Sequence, residues 1–230
     1  MKALITTLLS FSILIAVQAQ KRNVDVGSFT ELSLSISANL YVKQGASEKL
    51  EIDCDDDIFD EIGFEMRGDR LVIKKEGKDW SWNNGWRNSE VDIYVTMSTI
   101  EGLAVSGSGN MESDGTLNTD DLELTISGSG DMDLDIDGDE LETRISGSGS
   151  IRLSGSANEA KARISGSGRV KAEDLTVTSF DARISGSGSC YITVKEEIEA
   201  SISGSGSVYY AGNPGRVISN SSGSGKVRKM

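Results

Sequence analysis

Along most of the chain apolar and polar residues alternate, the period-two pattern of strands with one buried face. Leu32, Leu34 and Ile36 alternate within Phe29–Tyr41, and Leu50, Ile52 and Cys54 form a second such run. From Val105 onward the alternation is locked to a repeating unit. Ser-Gly-Ser-Gly occurs seven times, starting at Ser106, Ser127, Ser146, Ser165, Ser185, Ser203 and Ser222, at intervals of 21, 19, 19, 20, 18 and 19 residues. The position before each copy reads Val105, Ile126, Ile145, Ile164, Ile184, Ile202 and Ser221. A second column, five residues after the first serine, reads Met111, Met132, Ile151, Val170, Cys190, Val208 and Val227. A flexible Gly/Ser linker has no such columns.

Each unit reads as strand, glycine-containing bend, strand and second turn, with Asp137-Gly138 and Gly212-Asn213-Pro214-Gly215 as examples of the last. A unit of about 19 residues is too short for a strand–helix–strand crossover. Recurrence in register predicts a solenoid. The expected fold is therefore all-β: a parallel β-helix of about 19-residue coils, stacked about 4.8 Å apart. Each glycine inside a strand costs about 0.5–1 kcal/mol relative to alanine. Two in every unit imply a backbone demand, either a bend with positive φ or a corner with no room for a Cβ. The serines are expected to stack hydroxyl on hydroxyl between coils.

Residues 20–230 are expected to form one domain, with 20–104 as an irregular N-terminal cap and 105–230 as the regular coils. In the cap, Ile36-Ser37-Ala38-Asn39 is a worn copy of the repeat, and Asp57–Ile62 is expected to make one helical turn. Gly68-Asp69 predicts a hairpin between Phe64–Met66 and Arg70–Lys75, and Val91–Met97 is a strand leading into the array. At the other end Ser221 breaks the Ile column and Lys226-Val227-Arg228-Lys229-Met230 puts charge on an edge that would otherwise pair.

Residues 1–19 have the form of a secretory leader: Lys2, the apolar run Leu4–Val17, and a small-residue cleavage site at Val17-Gln18-Ala19. No second apolar run reaches spanning length, so the mature chain is expected to be exported to the periplasm, cell surface or medium without inserting in a membrane. Without Lys2 the balance is 22 basic against 36 acidic residues, or −14, which argues against nucleic acid as a partner.

The chain has no histidine, which removes Ser-His-Asp triads, Cys-His dyads and His-ligated metals; no cofactor or metal is expected. Of the two cysteines, Cys190 falls in an inward column and Cys54 in the cap, so a disulfide is not expected. Asp131, Asp133, Asp135, Asp137 and Asp139 stand at alternate positions and are expected to share one solvated outward face. Their coil-to-coil equivalents do not repeat the acid as calcium-binding repeats do.

Two features suit a ligand. Trp80, Trp82 and Trp86, with Asn83 and Asn84 between them, join flat apolar faces to amide donors and acceptors, which is what carbohydrate stacking requires. The alternative is that they cover the end of the core. Arg144, Arg163 and Arg183 occupy one offset in three successive units beside Glu142, Lys161 and Asp181. They form either a solvated ladder of ion pairs or a groove for an anionic glycan, since guanidinium pairs bidentately with carboxylate.

The leader, irregular first strands and serial Ile-Ser-Gly-Ser-Gly units over roughly residues 28–225 resemble the auto-transporter adhesin head domain (head-GIN) family of bacterial envelope proteins. The resemblance implies a right-handed β-helix and an exported location, and it carries over no catalytic residue. The expected function is a non-catalytic, adhesin-like module that binds carbohydrate or another cell-surface component. The rivals are a polysaccharide-active enzyme on a β-helix scaffold and an envelope structural protein without a small ligand.

Overall fold

The computed structural model describes residues 21–76 and 90–230. Its strands join in one sheet wound into a β-solenoid of about seven turns. The chain begins with β1 (Arg22–Val24), β2 (Glu31–Leu34), β3 (Asn39–Gln44), β4 (Lys49–Asp53), the turn α1 (Asp56–Phe59), β5 (Ile62–Arg67), β6 (Arg70–Lys75) and β7 (Asp92–Met97). It continues with β8 (Gly102–Gly107) and β9 (Asn110–Gly128). The first coil in sequence is not the first in space. β2 lies parallel between β6 and β8, and β3 lies parallel between β7 and β9, so Ser35-Ile36-Ser37-Ala38 sits under Ser106-Gly107-Ser108-Gly109. Beyond β6 and β7 the stack ends in antiparallel strands. β5 folds back on β6 through Gly68, and β4 and then β1 cover the edge of β7, with Leu50, Ile52, Ile58 and Ile62 buried. Antiparallel closure keeps the last parallel edge from standing open.

The regular coils follow as β10 (Asp131–Gly147), β11 (Ser150–Gly166), β12 (Arg169–Gly186) and β13 (Ser189–Gly204), each wrapping most of one turn. The next turn is divided between β14 (Ser207–Gly212) and β15 (Arg216–Gly223), and β16 (Lys226–Lys229) lies one step further, over β14. Inward columns stack directly: Ile126 on Ile145 on Ile164 on Ile184 on Ile202, each no more than 3% exposed. Burying five such side chains removes apolar area worth about 1.5–3 kcal/mol apiece. The unequal repeat lengths are absorbed elsewhere. Register slips occur between Asp133 and Asp135, between Arg152 and Ser154, and between Ala172 and Ser179, while the serine of every corner pairs with the serine above it.

Each of the two glycines of a corner answers one of the two anticipated demands. The first adopts positive φ, as Gly166 does at +120°, and a Cβ there would lie 2.5 Å from the carbonyl oxygen of Gly147 below. The second faces the core with ordinary φ, and a Cβ on Gly188 would lie 2.5 Å from Ile164 Cγ2. The isoleucine of one coil thus fills the space that the next coil's glycine leaves.

At the C-terminal end β15 pairs only with β13 and β16 only with β14, and Val217 is 42% exposed. Among the described residues no helix is long and apolar enough to cross a membrane. Gly107 separates the two costs of the first glycine, because it has φ +108° yet open space where a Cβ would go. Gly107→Ala is expected to lose about 1–2 kcal/mol through φ alone. Gly166→Ala should lose a further 1–3 kcal/mol, roughly, from the collision with the coil below. Urea denaturation of the two variants measures the difference, and equal losses would remove the steric half of this account.

Candidate functional site

The stacked corners form a ridge on which both serines of every Ser-Gly-Ser-Gly are exposed. Their amides hold the coils together; Ser167 N–H, for example, donates to the Gly147 carbonyl at 2.9 Å. The serines stack in register from coil to coil, as expected, but their hydroxyls do not bond to one another. Among the described residues no corner serine hydroxyl has a protein hydrogen-bond partner. The reason is spacing: coils about 4.8 Å apart cannot bring two equivalent hydroxyls to the 2.7–2.8 Å that an O–H···O bond needs. The ridge therefore presents two rows of free donors and acceptors.

Beside it runs the arginine row. Arg144, Arg163 and Arg183 are register partners in β10, β11 and β12, continued by Thr125 below and Ser201 above. With the first serines of the corners they line a groove of about 510 Å³. The carboxylates beside them are shared unevenly. Arg144 pairs with Glu123 and, at 2.8 Å, with Glu142; Arg163 pairs with the same Glu142. Two residues before Arg163 stands Lys161, where Arg144 and Arg183 have Glu142 and Asp181, so Arg163 pairs with the coil below. Arg183 has only Asp181, at 3.4 Å, and its side chain is 62% exposed against 39% and 41% for the other two. Hydrogen bonding from Arg144 holds the Glu123 carboxyl below the usual carboxylate range. Arg183 is thus the least engaged of the three.

A second groove, of about 860 Å³, carries many acids in its lining, among them Asp120, Asp121, Asp137, Asp139 and Glu140. Asp137 and Asp139 open onto it and Asp131 and Asp133 do not. The five aspartates consequently do not share one face, because the coil turns within the run. Asp137 and Asp139 accept hydrogen bonds from Ser156 and Asn158 one coil above. Among the described residues no group of three or more Cys, Asp or Glu side chains is arranged to hold a metal. Trp80, Trp82, Asn83, Asn84 and Trp86 lie outside the described residues. The chain on either side of them belongs to one coil, since Ile73 pairs with Leu34 and Asp92 with Asn39.

The family described as "Putative auto-transporter adhesin, head GIN domain" matches residues 28–214. The chain belongs to this family. Solved structures share its fold, three of them as follows. A "putative adhesin" from Bacteroides fragilis superposes with a TM-score of 0.85 at 23% identity, over 94% of this chain and 98% of that one. A "putative lipid binding protein" from Parabacteroides distasonis gives 0.74 at 24%, over 92% and 96%. A "putative adhesin" from Parabacteroides merdae gives 0.72 at 21%, over 92% and 95%. No curated protein matches the chain by sequence.

For this head-GIN domain two further features bear on chemistry. Tyr191 and Tyr209 stack on the outer surface with ring centroids 4.9 Å apart, and Tyr41 and Tyr94 do the same at 5.2 Å. Sequence reading passed over both pairs, although Tyr191 and Tyr209 stand at one offset in successive units, which is a legible signal. Cys54 and Cys190 are free. Burial pushes the Cys190 thiol up to about 12 and, with less effect, raises that of the half-buried Cys54. Thiolate is the reactive form, so a thiol reagent at neutral pH is expected to reach at most Cys54 in the native protein and both cysteines in denaturant. A native titre of two would mean that the core around Cys190 opens.

Proposed function

We propose that this chain is an exported, adhesin-like, non-catalytic module that binds carbohydrate along the serine ridge and the groove beside it. The observation that carries this reading is the set of exposed, unpartnered hydroxyls, repeated at coil spacing and bordered by guanidinium groups. Sugars are recognised by many convergent hydroxyl and charge-assisted hydrogen bonds of modest individual strength, and a polymer meets such a ladder several times over. The family description and the adhesin names of the similar structures support the same class. Arg183, with its weakly held guanidinium, is the side chain most available to a uronic acid carboxylate.

The acid-lined groove favours one rival, an enzyme acting on polysaccharide, because glycoside hydrolysis needs two carboxyl groups flanking the bond. Release of new reducing ends from a polysaccharide panel would support that rival over binding alone.

A glycan array with residues 20–230 tests the reading, run beside Arg144→Ala/Arg163→Ala/Arg183→Ala and Trp80→Ala/Trp82→Ala/Trp86→Ala variants. Wild-type binding should fall about tenfold or more in the arginine variant, the loss of one charge-assisted hydrogen bond being worth about that much. Loss only in the tryptophan variant would move the site to that stretch. Unchanged binding in both would sink the arginine groove, and no binding by the wild type would favour a structural role.

A further inference from the structure

In a chain with 36 acidic and 23 basic residues, a cation without a carboxylate partner is unexpected. Four such cations stand in two adjacent outward columns of one face. Arg169 and Lys171 lie on β12, and Lys226 and Arg228 lie on β16; none makes an ion pair among the described residues. Between them the register places two identical rows. Arg169 stacks on Ser189, Ser207 and Lys226, and Lys171 stacks on Tyr191, Tyr209 and Arg228. The tyrosine rings lie 14° from parallel with centroids 4.9 Å apart. The strip therefore reads cation pair, Ser-Tyr, Ser-Tyr, cation pair, and the cation pairs are three coil steps, about 14 Å, apart.

Charge on β16 alone would be explained as protection of an open edge. That explanation fails for Arg169 and Lys171, because β12 is hydrogen-bonded to a strand on both sides. The same tyrosine column provides an internal contrast at the other end of the molecule. There Tyr41 and Tyr94 stack equally well, but Lys21 sits 3.5 Å over the Tyr94 ring and the column neighbours are Glu51 and Glu112. That pair is flanked by acid and has a cation seated on it.

We propose that the Tyr191–Tyr209 stack, with Lys171, Arg228, Arg169 and Lys226 around it, is a binding site for an anionic polysaccharide running along the coil axis. The phenol hydroxyls and the edges of the stacked rings meet a neutral stretch of sugar, since tyrosine offers an apolar body and a polar tip. The flanking cations pair with carboxylate or sulfate groups on either side of that stretch. The ligand class rests on the carbohydrate-binding reading above; the site does not, as it lies across the serine ridge from the arginine groove.

The test is calorimetric titration of residues 20–230 with polygalacturonate and with its neutral methyl ester, at low and high salt. Variants Lys171→Gln/Arg228→Gln and Arg163→Gln/Arg183→Gln report on the two surfaces separately. All four side chains are solvent-accessible, and unchanged circular dichroism confirms the fold. Polygalacturonate is expected to bind and to weaken with salt. The methyl ester should bind about tenfold less well; Arg163→Gln/Arg183→Gln removes the groove's share of binding, and adding Lys171→Gln/Arg228→Gln to it should cost about a further tenfold at the strip. No further loss on that addition overturns the site. If Arg163→Gln/Arg183→Gln has by itself lost binding, the groove reading then survives alone. Binding to phosphatidylglycerol vesicles without binding to polygalacturonate overturns the polysaccharide class.

Discussion

The structure depends on one contact, the backbone hydrogen bond that joins successive corners. The Gly186 carbonyl accepts the amides of Ser205 and Gly206, at 2.9 and 3.0 Å, from the coil above. A Cβ on Gly204, whose φ is +118°, would lie 2.5 Å from that same oxygen. The bond and a side chain compete for one space, so the corner is closed to every residue except glycine. The cost of glycine in a strand is met because each corner gains inter-coil hydrogen bonds and lets the isoleucine beneath it occupy the second glycine's vacant side. Insertions and deletions are excluded here and admitted at the other bends, which is where the register slips are found.

A fixed corner also fixes what lies outside. Once the serines are in phase, residues two positions to either side are in phase as well, and every outward column becomes a ladder at coil spacing. Like charges in such a ladder repel, and the arginine row shows how this is moderated, with Glu142 set between Arg144 and Arg163. Exposed pairs of this kind contribute about 0–1 kcal/mol each, so the row is tolerated rather than stabilising.

How much of this could be read in the sequence follows from the same geometry. The solenoid, the inward columns from Val105 to Ser221 and the in-phase arginines were legible because the glycine corners mark each coil. The nesting of β2 and β3 between β6–β7 and β8–β9 was not, because those early coils lack the marker and pair with strands distant in sequence. Alternation told inward from outward but not which face of a bent coil a residue joins, so Asp137 and Asp139 were placed with Asp131. The serine ladder was legible, but that its hydroxyls stay unbonded to one another depends on coil spacing, a distance no residue pattern contains. Tyr191 and Tyr209 were visible as letters; the role proposed for them depends on the cations on either side that have no ion-pair partner among the described residues, which a residue pattern does not reveal.

The distribution of charge completes the argument. A globular domain with this excess of acid would surround a few cations with carboxylates. In a solenoid each coil touches only its neighbours, so distinct faces and distinct heights can carry opposite charge without mixing. Asp120, Asp121, Asp137 and Asp139 collect on one groove, while Arg169, Lys171, Lys226 and Arg228 on another face have no ion-pair partner among the described residues. Carboxylates elsewhere on the molecule lower its affinity for anionic surfaces in general through the summed field, yet beyond roughly 8 Å they are screened at physiological salt. The proposed ligand suits such a charge distribution, because a single narrow anionic chain can follow the basic strip without meeting the acidic faces, a geometry a polysaccharide has and a membrane lacks.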